Sequence, residues 1–372
     1  MTILRVEWEQ LRERPTRILR FVAAAIALAL FIWFVSHITT GWLVGFATRA
    51  GIFAILVLAL NVQWGYTGVF NFGVVAFFMV GAYVSAILTL GEPADFEGYV
   101  GGFDLPVILG WLAGMFAGGA LALLVGLPTL RLRRDFLAIA TIGIAAILRS
   151  IANSVEGLVN RAQGLRGIDP LGGDGRWEQL GIVLVVLLIV FAVVSRITES
   201  PWGRVQRAIR ENEDTARAAG KDTVNFRLQS FVLGGMIMGL AGGVFGSWFS
   251  ALAPTTFSDL FGTFLVWAML IVGGSGNNAG AVVGAVIVML FWFGLPLVQT
   301  DLPDFLGTRV FMLRQFAIGL LIVSFLLFRP QGLLPERVRV SRFAPRDPRL
   351  PSTLERLRAW LRPPSPPSDG EG

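Results

Sequence analysis

Residues 180–195 read LGIVLVVLLIVFAVVS and contain no charged side chain. With their neighbours they form an apolar span, 179–196, which is long enough to cross a hydrocarbon layer of about 30 Å at 1.5 Å per residue. Because lipid offers no hydrogen-bonding partners, such a span has to satisfy its own backbone groups, and a single segment does so as an α-helix. The stretch therefore predicts a membrane-spanning helix.

The whole chain has the composition of a membrane protein. Of its 372 residues, 54% are hydrophobic and 15% are charged, and the mean hydropathy is +0.67; soluble domains carry about 25% charged residues. Ten apolar spans are predicted, at 19–37, 43–63, 67–90, 105–129, 135–152, 179–196, 228–251, 259–273, 279–298 and 311–328. The predicted fold class is an all-α polytopic membrane protein with about ten transmembrane helices.

The chain lacks the residues that several kinds of catalytic and metal site require. There is no Cys, so disulfides, thiolate nucleophiles and cysteine metal sites are excluded. The single His, His37, has no second metal-ligating residue nearby, and no paired acids or Ser-His arrangement occurs in the spans. We therefore predict no catalytic residue, no metal and no cofactor. The net charge of +6 comes from basic residues beside apolar spans, so no nucleic-acid binding is predicted.

The charged residues between the spans predict the side of the membrane on which each loop lies. Arginines cluster in the N-terminus 1–18, after the fourth span, in the connection 197–227 and after the tenth span. Acidic residues mark the opposite loops, at Glu92, Asp95, Glu97, Asp104, Asp301 and Asp304. Because arginine-rich loops stay in the cytoplasm, both termini are predicted there, with a transmembrane domain at 19–328 and a Pro-rich tail at 329–372. Arg49, near the outer end of the second span, is the exception, and its long side chain is expected to reach the interface.

Three spans carry small residues at every fourth position, which places them along one helix face. The positions are Gly110, Gly114, Gly118, Ala122 and Gly126 in one span, Gly235, Gly239, Gly243, Ser247 and Ala251 in another, and Gly280 with Gly284 in a third. Such faces allow helix backbones to approach closely in lipid. They favour packing inside the bundle, and a contact between subunits is the alternative.

The long connection 197–227 is predicted to fold into short helices. Ser200 suits the N-cap position and Pro201 the first helical position, while Gly220 suits the end of a second short helix. The result would be a charged helical protrusion joined directly to two spans. A solvated loop, charged only because it is cytoplasmic, is the alternative.

The region from residue 61 to residue 73 combines glycines with uncharged polar side chains. The residues concerned are Asn61, Gln63, Gly65, Gly68, Asn71 and Gly73. Irregular backbone at membrane depth is tolerated where it is buried in protein or lines a cavity. These residues are therefore candidates for a translocation pathway, and polar contacts between helices are the alternative. Asn277, in a Gly-rich segment, is expected to be a turn residue.

Five segments occur in a fixed order between residues 42 and 335. They comprise GYTG (65–68) with NFG (71–73), AFF (76–78) and GAY (81–83); LRLR (130–133) with FLAIAT (136–141); the loop from Arg204 to Gly220; GGSGN (273–277) with Gly280; and RPQGL (329–333). Together they resemble branched-chain amino acid permeases of the LivM and LivH type, the membrane subunits of binding-protein-dependent ABC importers. Two positions depart from the family pattern: Val74 replaces a frequent His, and Thr215 replaces an Ala of the coupling motif.

The resemblance implies a permease subunit of the plasma (cell inner) membrane that imports branched-chain amino acids but is not itself an enzyme. It also implies the coupling-loop residues that contact the ATPase: Arg204, Arg207, Arg210, Glu211, Asp214, Ala216 and Gly220. The chain has no phosphate loop, and its one lysine, Lys221, lacks that context, so ATP would be hydrolysed by a partner. The implied partners are two ABC ATPase subunits, a second homologous permease, an extracytoplasmic solute-binding protein and membrane lipid.

Two alternatives remain open from the sequence. The carried solute could be urea or a short amide, since those permeases share the same segments. The chain could also be a self-powered secondary transporter. Proton-coupled carriers usually need a carboxylate deep in the membrane, and the predicted mid-span segments contain none, whereas sodium coupling through backbone carbonyls stays possible.

Overall fold

The structure is a computed structural model, and it describes residues 39–92, 101–130, 134–170, 172–173, 175–301 and 309–336. Several predictions concern residues outside these ranges: the N-terminus 1–18, the first span 19–37 with His37, the loop residues Asp95, Glu97, Arg131, Arg133 and Asp304, and the tail beyond residue 336.

The described chain is almost entirely helical. Its helices are α1 (Thr40–Leu60), α2 (Val74–Thr89), α3 (Val107–Thr129), α4 (Arg134–Ser154), α5 (Glu156–Val159), α6 (Arg176–Glu199), α7 (Pro201–Glu211), α8 (Glu213–Ala218), α9 (Thr223–Phe249), α10 (Leu265–Gly273), α11 (Asn278–Gly294) and α12 (Val310–Phe328). π-Helical turns at Asn61–Tyr66 and Leu260–Phe264 extend α1 and lead into α10. A short antiparallel ribbon pairs β1 (Leu165–Arg166) with β2 (Ala251–Leu252).

Seven of the described helices are long and apolar enough to cross a membrane. They are Thr40–Tyr66, Val107–Thr129, Phe136–Ser154, Arg176–Glu199, Thr223–Phe249, Asn278–Leu297 and Val310–Phe328, and the apolar segments Val74–Thr89 and Leu260–Gly273 are shorter. Each predicted span from the second to the tenth coincides with one of these nine segments. The membrane-helical class is confirmed, while the count of ten and the cytoplasmic termini stay predictions.

Two span boundaries differ from the predicted ones for local reasons. The predicted third span begins at residue 67, whereas α2 begins at Val74, because Gly68 has a φ of +74° and residues 67–73 are not helical. The seventh was placed from residue 228, but α9 begins at Thr223, where the Asp222 side chain accepts a hydrogen bond from the backbone N–H of Asn225 at 3.1 Å. Asp222 is thus an N-cap that hydropathy alone does not reveal.

The small-residue faces pack inside the bundle, as predicted. A Cβ on Gly118 would lie 2.9 Å from Gly239 Cα, and one on Gly114 would lie 2.6 Å from Gly81 O. Helices α2, α3 and α9 therefore meet backbone to backbone, which in lipid replaces the missing hydrophobic drive. Gly284 of α11 likewise lies against Gly273 of α10.

Helix α1 lies in the centre of the bundle, and α6 and α12 lie at its surface. Every residue from Ala50 to Gln63 is buried, whereas Leu188 of α6 is 65% exposed and Leu327 of α12 is 72% exposed. Exposed apolar side chains on long helices are what a lipid-facing surface requires. The polar groups near the end of α1 are therefore buried among the described helices.

Candidate functional site

The connection between α6 and α9 folds into two short helices, α7 and α8. Pro201 is the first residue of α7, where its missing N–H leaves no bond unmade. Ser200 occupies the N-cap position as predicted, but its Oγ donates back to Ile197 O at 2.7 Å instead of capping. Asn212 caps α8 by accepting a backbone N–H, and Gly220 follows with a φ of +76°. The predicted helical protrusion is therefore present.

The predicted coupling residues divide between two faces of this protrusion. Arg204, Glu211, Asp214 and Gly220 are exposed, and they form what we call the outer face. Arg207 and Arg210 are half-buried and point towards the bundle, and Ala216 is buried. The outer face is the more accessible one, whereas the two inner arginines make contacts within the chain as well.

Arg207 and Arg210 share one carboxylate, that of Glu336. Arg207 Nε lies 3.1 Å from Glu336 Oε1, and Arg210 Nη2 lies 2.6 Å from Glu336 Oε2, with side chains 23–25% exposed. The Arg207 guanidinium also lies over the Tyr66 ring, 4.9 Å from its centroid. Solvent still screens these pairs, so each contributes at most about 1 kcal/mol to stability. Their main effect is positional: they hold α7 to the chain that follows α12.

Arg210 also reaches the irregular region after α1. Its Nη1 donates to Gly65 O, and a Cβ on Gly68 would lie 3.1 Å from Arg210 Cγ. Gly65 itself has no room for a side chain, because a Cβ there would overlap Asn61 Oδ1 and lie 2.6 Å from Gly276 N. The protrusion is therefore in direct contact with the segment 65–73 through Arg207 at Tyr66 and Arg210 at Gly65.

Asn61 and Asn278 form the centre of a buried polar network. Asn61 Nδ2 donates to Asn278 Oδ1 at 3.0 Å, and Asn61 Oδ1 accepts from Gly276 N at 2.8 Å. Tyr66 Oη donates to the same Asn278 oxygen at 3.2 Å, and Asn278 Nδ2 donates to Ser195 Oγ at 3.1 Å. Asn278 thus connects α1, α6 and α11 in a buried region.

We expect Asn278→Leu to lower the free energy of unfolding by about 2 kcal/mol or more, because it strands the Asn61 amide and the Tyr66 hydroxyl in a buried site. Thermal unfolding of the purified protein in detergent measures the effect. Asn153→Leu is the control, since Asn153 is exposed and its amide donates only to Arg149 O. Equal melting temperatures for the two variants would contradict the assigned role of Asn278.

Gln63 and Asn71 form a second buried pair. Gln63 Nε2 donates to Phe231 O at 2.9 Å, Asn71 Nδ2 donates to Gln63 Oε1 at 2.8 Å, and Gly73 N donates to Asn71 Oδ1 at 2.8 Å. The amide side chains among the six pathway candidates thus all bond to protein atoms. The structure brings the six together, in the arrangement expected of polar contacts between helices.

An aromatic cluster lies on the far side of the segment 67–73. Its rings belong to Trp64, Phe70, Phe72, Phe264 and Trp267. Phe72 stacks on Trp267 with centroids 4.7 Å apart and planes within 10°, and Trp267 Nε1 donates to Asn71 O at 2.9 Å. The segment therefore contacts Arg210 at one end and carries stacked aromatic rings at the other.

Residues 329–336, the beginning of the predicted tail, pack against the bundle. Leu333 N donates to Val272 O at 2.9 Å, and Leu334 N donates to Gly273 O at 3.0 Å. Asn277 caps α11 as the predicted turn residue and also donates from Nδ2 to Pro335 O at 3.1 Å. The segments GGSGN and RPQGL, far apart in sequence, thus form one structural unit that positions Glu336.

Sequence reasoning missed Glu336 and Asn278. Glu336 is the first acidic residue after the last predicted span, and the arginine-rich connection 197–227 needs counter-charges; that combination is its signal in the sequence. Asn278 follows the predicted turn residue Asn277, and its signal in the sequence is a second amide just inside an apolar helix. Neither residue's partner is visible in a local pattern.

The chain is similar in sequence to known membrane transport proteins. A family model described as "branched-chain amino acid transport system / permease component" matches residues 42–323. A relative from Methanocaldococcus jannaschii, a probable branched-chain amino acid transport permease protein LivM, is 28% identical to this chain. The match covers 77% of this chain and 91% of the relative. LivM of Escherichia coli K12 is 28% identical over 78% of this chain and 70% of its own. LivH of the same Escherichia coli strain is 23% identical over 82% of this chain and 96% of its own length. No solved structure matches the chain.

Proposed function

The chain belongs to the family of branched-chain amino acid transport permease components, and from this membership we propose that it forms half of the pore of an ATP-driven importer. It is a multi-pass protein of the inner membrane and a transport subunit. The proposed solutes are branched-chain amino acids, as the names of the LivM and LivH relatives suggest.

One observation carries this proposal: the protrusion α7–α8 has an exposed charged face outside and two arginines inside. The outer face, with Arg204, Glu211 and Asp214, has the charge and exposure that docking on a soluble ATPase requires. The inner arginines contact Glu336 and Gly65. A secondary transporter needs no such docking surface, because no separate ATPase subunit drives it.

In the proposed mechanism, closure of two ATPase subunits displaces the protrusion, and Arg210 transmits the displacement to the segment 65–73. The glycines at 65, 68 and 73 allow that segment to change its backbone angles, while Phe70 and Phe72 move with it. The stacked rings would then open or close the pathway. The access of the pore would alternate between the two sides of the membrane as the ATPases close and reopen.

We propose that Asn61, Gln63 and Asn71 lie beside the pathway and change partners during this cycle. Their amides donate and accept, so a bond to a neighbouring helix can be exchanged for one to a solute without leaving a buried group unsatisfied. Because none of the three is charged, a solute held by them is free to move on. Gly65, Gly68 and Gly73 supply the backbone freedom.

The proposed assembly contains a second homologous permease, two ABC ATPases and an extracytoplasmic solute-binding protein. That the chain is similar to both LivM and LivH supports a pore made of two related subunits. The exposed apolar residues of α6 and α12 provide surface for lipid and for that subunit. Both termini are proposed to be cytoplasmic, with ten transmembrane helices in all.

We expect proteoliposomes containing the complete transporter and its binding protein to accumulate leucine, isoleucine or valine only when ATP reaches the ATPase subunits. Imposed sodium or proton gradients without ATP should give no accumulation. Vesicles in which the ATPase subunits carry an inactive phosphate loop are the control. Uptake that follows an ion gradient would refute the ATP-driven mechanism, and ATP-driven uptake of urea in place of the amino acids would refute the solute assignment.

A further inference from the structure

A cavity of about 390 Å³ opens at the end of the bundle opposite to the protrusion. Its lining includes Trp42, Val44, Arg49, Arg176, Gln179 and Trp248. Gly41, at the start of α1, also borders it, and about 35 Å of helix at 1.5 Å per residue separates Gly41 from the Gly65 contact with Arg210. The volume falls within the range of about 300–1,000 Å³ that is typical of small-molecule sites.

Two arginines of this cavity have no anionic partner among the described residues. Neither Arg49 nor Arg176 lies within ion-pair distance of a carboxylate in that part of the chain, in contrast to Arg149, which pairs with Asp259 at 2.7 Å. Arg49 lies within α1, in an otherwise apolar stretch. Ionisable residues at such positions are expensive and generally functional.

Aromatic rings fix the position of Arg49 inside the bundle. Its guanidinium carbon lies 4.9 Å from the centroid of the Trp248 ring and 4.5 Å from that of Phe293. Arg49 is partly exposed and borders the cavity opening, and its guanidinium is held between these two rings; that it reaches the membrane interface stays a prediction. Such stacking offsets part of the charge but satisfies none of the five N–H donors, which stay available for a ligand.

Arg176 completes the cationic side of the cavity from α6. Its Nη1 lies 2.7 Å from the position that a Cβ on Gly41 would occupy, so the absence of a side chain at Gly41 makes room for it. Trp42, Val44 and Trp248 provide an apolar wall, and Gln179 contributes a carbonyl oxygen, since its amide nitrogen donates to Gly173 O. The cavity combines paired cations with an apolar wall and one acceptor.

We infer that this cavity binds the transported solute through its carboxylate, which Arg49 and Arg176 hold, with the aliphatic side chain against Trp42 and Trp248. This inference rests on the proposed function and adds to it a site and a required chemical group. A carboxylate offers the bidentate acceptor that guanidinium groups match. Urea and neutral amides have no carboxylate for the two guanidinium groups to hold, so the site favours amino acids over those alternatives.

The test measures binding of tritiated leucine to the complete transporter in nanodiscs, without the binding protein, by scintillation proximity. We expect saturable binding that unlabelled leucine displaces and leucinamide, which lacks the carboxylate, does not. Arg176→Gln and Arg49→Gln should each weaken binding about tenfold or more, because each removes charge-assisted hydrogen bonds. Arg176 begins α6 at the protein surface, so its variant tests the site even where the Arg49 variant fails to fold.

Arg166→Gln is the matched control, because Arg166 is exposed, pairs in the ribbon opposite Ala251 near the same end of α9, and does not line the cavity. The inference would be overturned if Arg166→Gln lost leucine binding to the same extent, or if leucinamide displaced the bound leucine. Unchanged leucine binding in Arg176→Gln would overturn it as well. Loss of bound phosphatidylglycerol in the cavity variants with unchanged leucine binding would assign the site to a lipid phosphate instead and overturn it too. Failure of the proposed function is distinguishable, because ATP-driven uptake would then be absent from the wild-type transporter.

Discussion

Arg210→Glu is expected to reduce ATP-driven uptake at least tenfold while the protein still inserts into the membrane. The substitution removes the donor to Gly65 O and places a carboxylate beside Glu336, where two like charges repel each other. The protrusion would keep the Arg207 contact with the Tyr66 ring but lose the hydrogen bond to Gly65 O, so its displacement would reach the segment 65–73 less effectively. Uptake into proteoliposomes, measured together with ATP hydrolysis, separates lost coupling from lost hydrolysis.

The swap Arg210→Glu with Glu336→Arg tests whether the ion pair itself matters. It restores one carboxylate between two guanidinium groups, but it leaves Gly65 O without its donor, so we expect partial recovery of uptake. Arg204→Glu serves for comparison, because Arg204 is exposed and Glu336→Arg should not rescue it. Undiminished uptake by Arg210→Glu would disprove the coupling role of the inner face.

Gly239→Leu is expected to prevent stable folding. A Cβ at this position would overlap Gly114 O and lie 3.1 Å from Gly118 Cα, so the added side chain must force α3 and α9 apart. Overpacking of this kind costs about 1–3 kcal/mol, and more when backbone has to move. Gly319→Leu makes the same change in α12, where nothing lies within 4 Å of the new Cβ.

Fluorescence-detected size-exclusion chromatography after a heating series measures the effect. The Gly239 variant should yield little monodisperse protein or melt at a distinctly lower temperature, and the Gly319 variant should behave like the wild type. A Gly239 variant as stable as the Gly319 variant would mean that the close helix contact is not needed for the fold.

Local sequence patterns were sufficient for the helices and for the protrusion. An apolar run such as 180–195 has one way to satisfy its backbone in lipid, and Pro201 and Gly220 mark helix ends through their own backbone preferences. The faces of small residues likewise follow from spacing alone. Each of these features depends on residues that are neighbours in the chain.

Features that depend on distant residues were not predictable in the same way. The contact between Arg210 and Glu336 joins residues 126 positions apart, and no periodicity links them. Ser200 has the right residue type for a cap, yet its hydroxyl finds a better acceptor one turn back. The Arg49 environment was also unforeseen, because Trp248 and Phe293 reach it from two other helices.

The position of Glu336 also has a consequence for biosynthesis. The residue follows α12 in the chain, so the ribosome adds it only after every described helix has been made. Until then the inner arginines of the nascent chain lack their counter-charge, and long-range contacts of this kind close late. We expect a chain interrupted between residues 328 and 336 to insert its helices and keep the Arg210 bond to Gly65 O, but to lack the ion pairs that hold α7 to the chain after α12. Limited proteolysis should then cut α7 faster in the interrupted chain than in the uninterrupted one.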